Sequence, residues 1–433
     1  MATNGDSQAK DASQKQRIRA VTAASIGNFV EWYDFAIYGY LAVYIGQQFF
    51  PSENETTSLL ASFAAFGTAF IFRPLGGFVL GPLADRIGRQ KVLVLVIALM
   101  SGTTFLIGVL PTFGVIGVLA PVLLVLARCV QGFSAGGEFG GGAAFMAEYS
   151  KPNLRGFTTS FLEFSIQLAY LVGTSLILVL TVTLSDDDMA AWGWRIPFIL
   201  GGLIGVVGFY IRSKLEDTPA FQQIDEQGKT ADAPMREVFR TQKKPMLQLA
   251  GLTSIQWIGL YIVFIYTPTY LTEQLGHTSL DASLSTLCTL VVAAILIPVL
   301  GRVSDRVGRK PILFISACLS AIVSYPLFLL ITSDSMAVVI LGHVLVGIPV
   351  AGFLSTTIAA LTELFPTHVR VGAFSISYGV MGALLGGTTP FIVTALLAST
   401  GNLMVPAIML IIGGVVSALT VLTIKETAHI PLQ

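Results

Sequence analysis

The chain has 433 residues, is 54% hydrophobic and 12% charged, and its 25 basic and 25 acidic residues cancel. A soluble domain carries about twice that charge, roughly 25%, and a zero net charge offers no footing for nucleic acid as a partner. Apolar runs of about 20 residues recur, each long enough to cross a bilayer core of ~30 Å, so the lipid bilayer is the expected surrounding.

In chain order, Met1 to Arg19 is polar and charged, lacks a small-residue cleavage site, and reads as a retained cytoplasmic tail. Helices are predicted near 20–46, 58–82, 92–110, 118–147, 157–184 and 194–212. The polar segment Lys214 to Lys244 follows, with the composition of a flexible linker with some helical turns. Six more helices are predicted near 246–272, 282–301, 311–332, 336–362, 372–398 and 403–424. The units are thus a tail at 1–19, a half at 20–213, a linker at 214–244, a half at 245–424 and a short cytoplasmic tail at 425–433. Cys129, Cys288 and Cys318 all lie inside apolar runs and read as packing residues, with no disulfide framework.

Loops between odd and even helices contain no lysine or arginine and hold Glu53, Glu55, Asp186, Asp187, Asp188, Glu273, Asp281 and Asp334. The alternate loops hold Arg86, Arg89, Lys91, Lys151, Arg155, Arg302, Arg306, Arg309, Lys310 and Arg370. The positive-inside rule puts the basic loops and both termini in the cytoplasm, in a multi-pass protein of the cell (inner or plasma) membrane.

Two of those loops are copies of one another. Gly81-Pro82-Leu83-Ala84-Asp85-Arg86-Ile87-Gly88-Arg89 follows the second helix, and Gly301-Arg302-Val303-Ser304-Asp305-Arg306-Val307-Gly308-Arg309 follows the eighth. Two helices later, Glu148 through Arg155-Gly156 pairs with Glu363 through Arg370-Val371-Gly372. Both pairs sit in basic loops, so the halves have parallel topology. Glycine allows the tight turn, the aspartate is expected to favour the N-terminus of the following helix, and the arginines are expected to clamp a neighbouring helix end or acidic cap. Asp85, Arg86, Arg89, Arg155, Asp305, Arg306, Arg309 and Arg370 are therefore the candidate gating residues.

This loop run resembles the signature of the major facilitator superfamily, and the resemblance extends over all twelve helices. More narrowly, four stretches are similar to its metabolite:H⁺ symporter branch: Gly27-Asn28-Phe29-Val30-Glu31-Trp32-Tyr33-Asp34-Phe35, Arg73-Pro74-Leu75-Gly76-Gly77, Arg128 through Glu138, and Trp192-Gly193-Trp194-Arg195-Ile196-Pro197-Phe198. The resemblance implies an all-α fold of twelve transmembrane helices in two pseudo-symmetric six-helix bundles. It also implies a mid-membrane substrate site between the bundles and alternating access. The proton gradient would supply the drive with no cofactor, and the chain is expected to act as a monomer. The fifth helix lacks the Gly-Pro-rich run of the superfamily's drug/proton antiporters, which favours symport.

Ionisable groups inside a bilayer are costly and tend to mark function. They are Glu31 and Asp34 in the first helix, Arg73 in the second, Arg128 and Glu138 in the fourth and Glu163 in the fifth, all in the first half. Glu31 and Asp34 are three apart and share a helical face, where two desolvated carboxylates repel and bind protons more readily. Asp34 is expected to be the leading proton carrier, with Glu31, Glu138 and Glu163 as further candidates. Arg128 is expected to anchor a substrate carboxylate, with Arg73 and Gln131 beside it; the alternative is a static ion pair of Asp34 with either arginine. The glycines after Arg128 (Gly132, Gly136, Gly137, Gly140, Gly141, Gly142) read equally as a moving contact or as tight packing.

Aromatic residues gather in two helices, Trp32, Tyr33, Phe35 and Tyr38 in the first and Trp257, Tyr261, Tyr266 and Tyr270 in the seventh. An aromatic box holds a quaternary ammonium by cation–π attraction while an arginine takes a carboxylate. Ser160-Phe161-Leu162-Glu163-Phe164, Leu215 through Gln223, Tyr266-Thr267-Pro268-Thr269-Tyr270-Leu271 and Asn402 through Pro406 with Lys425-Glu426-Thr427-Ala428 resemble the proline/betaine symporters. Osmosensing members of that group carry a long C-terminal extension with heptads, whereas this chain stops at Gln433, so osmotic activation is not carried over. Arg128 also matches the dicarboxylate branch, and two arginines would suit 2-oxoglutarate or citrate. The four histidines, His277, His343, His368 and His429, are dispersed, and no phosphate-cradling glycine loop occurs, which speaks against an enzyme, a metal centre or an ATP-driven pump.

Overall fold

Lipid offers no partner to a backbone N–H or C=O, so each apolar run has to close its own hydrogen bonds as a helix. The computed structural model describes residues 21–22, 25–87, 89–136, 139–213, 241–428, 430 and 432, and among them every regular element is helical. Helix α1 covers 25–49 with a break at residue 41. The first half continues with α2 (Glu55–Ile87), α3 (Arg89–Val109), α4 (Leu119–Ala135, then Phe139–Tyr149), α5 (Arg155–Thr183) and α6 (Arg195–Ser213). The second half has α7 (Lys243–Gly259, Leu260–Tyr266, Thr267–Glu273), α8 (Ser279–Val307), α9 (Arg309–Ile331) and α10 (Met336–Glu363). It ends with α11 (Thr367–Met381, Gly382–Gly386, Thr389–Thr400) and α12 (Val405–Thr423). Residues 214–240 of the expected linker lie outside the described residues.

Among the described residues, ten helices are long and apolar enough to span a membrane alone, and α6 joins them with Asp186–Gly193 across a 44° bend. The twelfth, α1, is interrupted at Leu41 but stays hydrogen-bonded, Leu41 N donating to Ile37 O at 3.0 Å and Ile45 N to Leu41 O at 2.9 Å. Helices α2 and α8 run on to Ile87 and Val307, past the predicted ends at 82 and 301. Their last turns are polar, so apolar windows stop before the backbone does. Gly308, at φ 106, makes the turn from α8 into α9, in a backbone region that favours glycine.

Two glycines of the run after Arg128, Gly132 and Gly136, sit against α2. A Cβ on Gly132 would collide with the Ala69 carbonyl, one on Gly136 with the Arg73 carbonyl, and one on Gly76 with the Phe133 carbonyl. These helices touch backbone to backbone inside the first half, as small residues permit. Gly140 faces the other half, against Ser375 of α11, and a Cβ on Gly141 or Gly142 would meet nothing within 4 Å.

The halves meet chiefly along α5–α8 and α2–α11 and are in contact at both ends. At the end carrying the basic loops, Asp305 of α8 accepts from the amides of Gly156 (2.7 Å) and Phe157 (2.9 Å) at the start of α5. Arg155 pairs with Glu363 at 2.7 Å and Arg370 with Glu148 at 2.7 Å. Asp305 was expected to favour the helix that follows it. It caps α5 of the opposite half instead, because Glu426 occupies the start of α9, accepting from Arg309 N (2.8 Å) and Lys310 N (3.0 Å). Arg309 bonds Ser304, Asp305 and Glu363, while Arg306 is exposed. The side chains of Asp85, Arg86 and Arg89 lie outside the described residues.

At the opposite end, Tyr40 OH donates to Phe264 O at 2.7 Å, Phe63 meets Tyr266 with ring centres 5.8 Å apart, and Gly67 lies against Gly387. Helix α7 explains the Tyr40 contact. Pro268 has no N–H, so Phe264 O loses the donor four residues on. Around it, Thr267 Oγ1 donates to Ile262 O (2.7 Å) and His343 Nε2 bonds Val263 O (2.7 Å), while Ser285 Oγ holds the other ring nitrogen at 2.8 Å. With both ends closed, the side chains between the halves are shut away from solvent.

Candidate functional site

One face of α1 carries Asn28, Glu31, Trp32, Asp34, Phe35 and Tyr38, spaced three and four apart as a helical stripe must be. Asn28 fixes its base, donating to Leu162 O (3.0 Å) and Ser165 Oγ (2.8 Å) on α5 and accepting from Trp32 Nε1 (3.0 Å). Glu31 forms an ion pair with Arg73 of α2. Asp34 is held by three donors, Arg128 Nη1 at 2.9 Å, Gln131 Nε2 at 2.7 Å and Thr104 Oγ1 at 2.7 Å, and an Arg128–Gln131 bond of 2.7 Å closes the ring.

The two carboxylates on one face therefore do not depend on each other; each has its own arginine. Phe35 stands beside both guanidinium groups, 5.5 Å from Arg73 Cζ and 5.0 Å from Arg128 Cζ. Tyr38 covers Arg128 at 4.4 Å and donates its hydroxyl to Ser62 O at 3.2 Å. Arg128, Gln131 and Tyr38 are thus inside the first half, behind Phe35. Arg73 lies nearer the boundary, 5.5 Å from the Trp32 and Phe70 rings, with Nη1 lacking a hydrogen-bond partner.

Between the halves is a second constellation. Gln256 of α7 donates to Glu163 Oε1 of α5 at 3.0 Å and to Tyr378 OH of α11 at 3.1 Å, joining three helices at one amide. Aromatic rings surround that amide. Trp257 is 6.0 Å from Trp32, 4.8 Å from Tyr378, 6.1 Å from Tyr261 and 6.1 Å from Phe70, and Trp32 is 6.2 Å from Tyr170. Gly382 and Gly386 let the Trp257 ring lie on α11, since a Cβ at either would come within 3.0 or 2.9 Å of it.

Buried polar atoms in folded proteins are nearly all hydrogen-bonded. Here Glu163 Oε2, both amide atoms of Gln167, Tyr170 OH, Gln256 Oε1, Trp257 Nε1 and Tyr261 OH are buried without a partner. They belong to α5 and α7, on facing halves, and converge where the rings of Trp32, Trp257 and Tyr378 meet.

Of the residues singled out in the sequence, Trp32, Trp257, Tyr261 and Glu163 belong to this cluster, with Arg73 at its edge. Asp34, Glu31, Arg128, Gln131 and Tyr38 form the layer behind it. Tyr33 turns to Pro197 O (3.1 Å), Tyr270 to Leu403 O (2.9 Å) and Tyr266 to Thr394 (3.1 Å), away from the cluster. Glu138 lies outside the described residues. Gln167, Tyr170, Gln256 and Tyr378 are neither charged nor part of the aromatic groups of the first and seventh helices, so the sequence reading does not single them out. Neutral amides inside apolar runs were the available signal.

The family model described as "Sugar (and other) transporter" matches residues 20–236, and that described as "Major Facilitator Superfamily" matches 249–431. The chain is 36% identical over 424 residues to the glycine betaine/proline/ectoine/pipecolic acid transporter OusA of Dickeya dadantii, covering 96% of this chain and 84% of that protein. It is 36% identical over 425 residues to the proline/betaine transporter of Escherichia coli K12 (96% and 85% covered). To the ectoine/proline transporter ProP of Corynebacterium glutamicum it is 37% identical over 433 residues (95% and 85% covered). Among solved structures, the proton:xylose symporter XylE bound to 6-bromo-6-deoxy-D-glucose superposes with TM-score 0.76 at 17% identity, covering 96% of this chain and 97% of that one. A partially occluded inward-open XylE from E. coli gives 0.75 at 18% identity, with 95% and 98% covered.

Proposed function

Because this chain belongs to the proline/betaine transporters of the major facilitator superfamily, we propose that it imports a small zwitterion, proline or glycine betaine, together with protons by alternating access. The observation that carries the reading is the set of unpartnered polar atoms ringed by indoles and phenols between the halves. A zwitterion needs two unlike environments within a few ångströms. The faces of Trp32, Trp257 and Tyr378 suit an ammonium, most of all one that cannot donate hydrogen bonds. The carboxylate finds its donors in Arg73 Nη1, Gln167 Nε2, Trp257 Nε1 and the hydroxyls of Tyr170 and Tyr261.

The basic-loop end is placed in the cytoplasm by the positive-inside rule. Opening inward then separates Asp305 from α5 and Arg155 from Glu363; opening outward separates Tyr40 from Phe264 and Gly67 from Gly387. The chain acts as a monomer, since substrate groups from both halves come from one polypeptide. A dicarboxylate is the poorer substrate, because both arginines already hold a carboxylate of the protein, Glu31 and Asp34.

Purified protein in liposomes with an alkaline interior decides between them. Labelled proline or betaine accumulates under the imposed pH gradient and 2-oxoglutarate does not; the reverse pattern would overturn the reading.

A further inference from the structure

Two buried carboxylates compete for the role of proton carrier, and their surroundings differ in kind. Asp34 receives an arginine, an amide and a hydroxyl, so donors fixed inside the first half hold both its oxygens. It also lies within the first half, where a change in contact between the halves does not reach it directly. Glu163 is fully buried at the junction of the halves; its Oε1 accepts only from Gln256 of the opposite half, its Oε2 has no partner, and among the described residues no cation pairs with it.

We propose that Glu163 carries the coupling proton and that Asp34 is a fixed ion-pair partner of Arg128. The inference rests on the transport reading above and names the residue that makes the transport proton-coupled.

The coupling follows from shared donors. Gln167 and Tyr170 lie four and seven residues after Glu163 on the same face of α5, and neither side chain is satisfied. With no substrate bound, their N–H and O–H, together with Gln256, can solvate Glu163 as a carboxylate, and the empty carrier closes and returns. A substrate carboxylate takes those donors. Glu163 is then left in a dry junction with no cation beside it, and closure requires a proton on Oε2, taken from the outside and released when the inward face opens to water. The proton moves by ordinary acid dissociation, with no other bond made or broken.

The groups that bear on Glu163 are few. Tyr170 on its own helix and Tyr378 on α11 act on it electrostatically, and Tyr261 on α7 lies next to both. The Glu31–Arg73 pair of α1 and α2 reaches Tyr378 and Tyr261. Helices α8 and α10, which pack on α5, bring Asp305, Arg302 and Glu363 to its basic-loop end, by Gly156, roughly 10 Å along the axis from Glu163, where Arg155 and Arg309 pair with the acids. Glu148 of α4 pairs with Arg370, and His343 of α10 bonds Val263 of α7.

The test uses the full chain in proteoliposomes loaded with a pH dye. In wild type, external proline acidifies the lumen, and a one-unit gradient (alkaline inside) accumulates it about tenfold for one proton per substrate. In Glu163→Gln, labelled proline still exchanges against unlabelled proline, but accumulation falls to about onefold and acidification disappears, because the neutral amide mimics only the protonated, doubly loaded carrier. Accumulation and acidification by Glu163→Gln equal to wild type would overturn the proposal. Should Glu163→Gln also fail to exchange, proline binding in detergent decides: affinity that no longer varies with pH supports it, and a wild-type pH profile overturns it. Glu163→Asp, which keeps the carboxyl, should retain coupling with a displaced pH profile, a result that a merely structural role would not produce. Failure of wild type to exchange any zwitterion would instead refute the substrate reading.

Discussion

Phe35 sits beside two guanidinium groups, and that placement organises the whole first layer of the site. An aromatic face attracts a cation, more strongly when water is excluded, so the ring steadies Arg73 and Arg128 while keeping their carboxylates apart. The Asp34–Arg128 pair is fully enclosed and closed into a ring by Gln131 and Thr104. Removing one member of such a pair leaves the other charge buried without compensation. Asp34→Asn should therefore cost about 3–5 kcal/mol, seen as a lower unfolding temperature in detergent, and Arg128→Gln in the same chain should recover much of the loss. An undiminished unfolding temperature in the single variant would show that Asp34 is not held this way.

At the scale of the helix, α7 is where regular hydrogen bonding is given up. Its middle turn, Leu260–Tyr266, is wide, and Pro268 withholds a donor from Phe264 O. The vacancy is filled from the other half by Tyr40 OH. A buried carbonyl left without a donor costs about 1–3 kcal/mol, so Tyr40→Phe should weaken closure of the acidic-loop end. That shift would be measured as increased labelling of a cysteine placed at Phe63. In a Pro268→Ala background, the alanine N–H can serve Phe264 O, and Tyr40→Phe should have a smaller effect. Equal effects in both backgrounds would break the link between the proline and the contact.

Across the whole molecule, the end of the chain is tied into the contact between the halves. Glu426 caps α9, Thr427 bonds Glu363, and Glu363 in turn holds Arg155 of the other half. Burial raises the proton affinity of Glu426, but amides from Arg309, Ala428, Lys310 and Thr427 outweigh it and leave its pKa below the ordinary 4.5. A depressed folded-state pKa means that the stabilisation is present above 4.5 and is lost as pH falls through the lower folded value. Wild type should thus lose unfolding temperature below that pH, and Glu426→Gln should show a flatter dependence; identical curves would exclude this carboxylate as a source.

Several features were legible in the residues themselves. Twelve helices follow from apolar run length, and the buried charges Glu31, Asp34, Arg73, Arg128 and Glu163 from their rarity in lipid. These properties are local, since each depends only on neighbours along the chain. What required the tertiary structure was partnership. Asp305 serves α5 rather than α9, Asp34 is enclosed by Arg128, Gln131 and Thr104, and Glu163 faces Gln256 from 93 residues away. Whether a buried carboxyl is an ion held in place or a proton site depends on which donors and cations surround it. Those arrive from different helices, so no stretch of sequence can supply the answer.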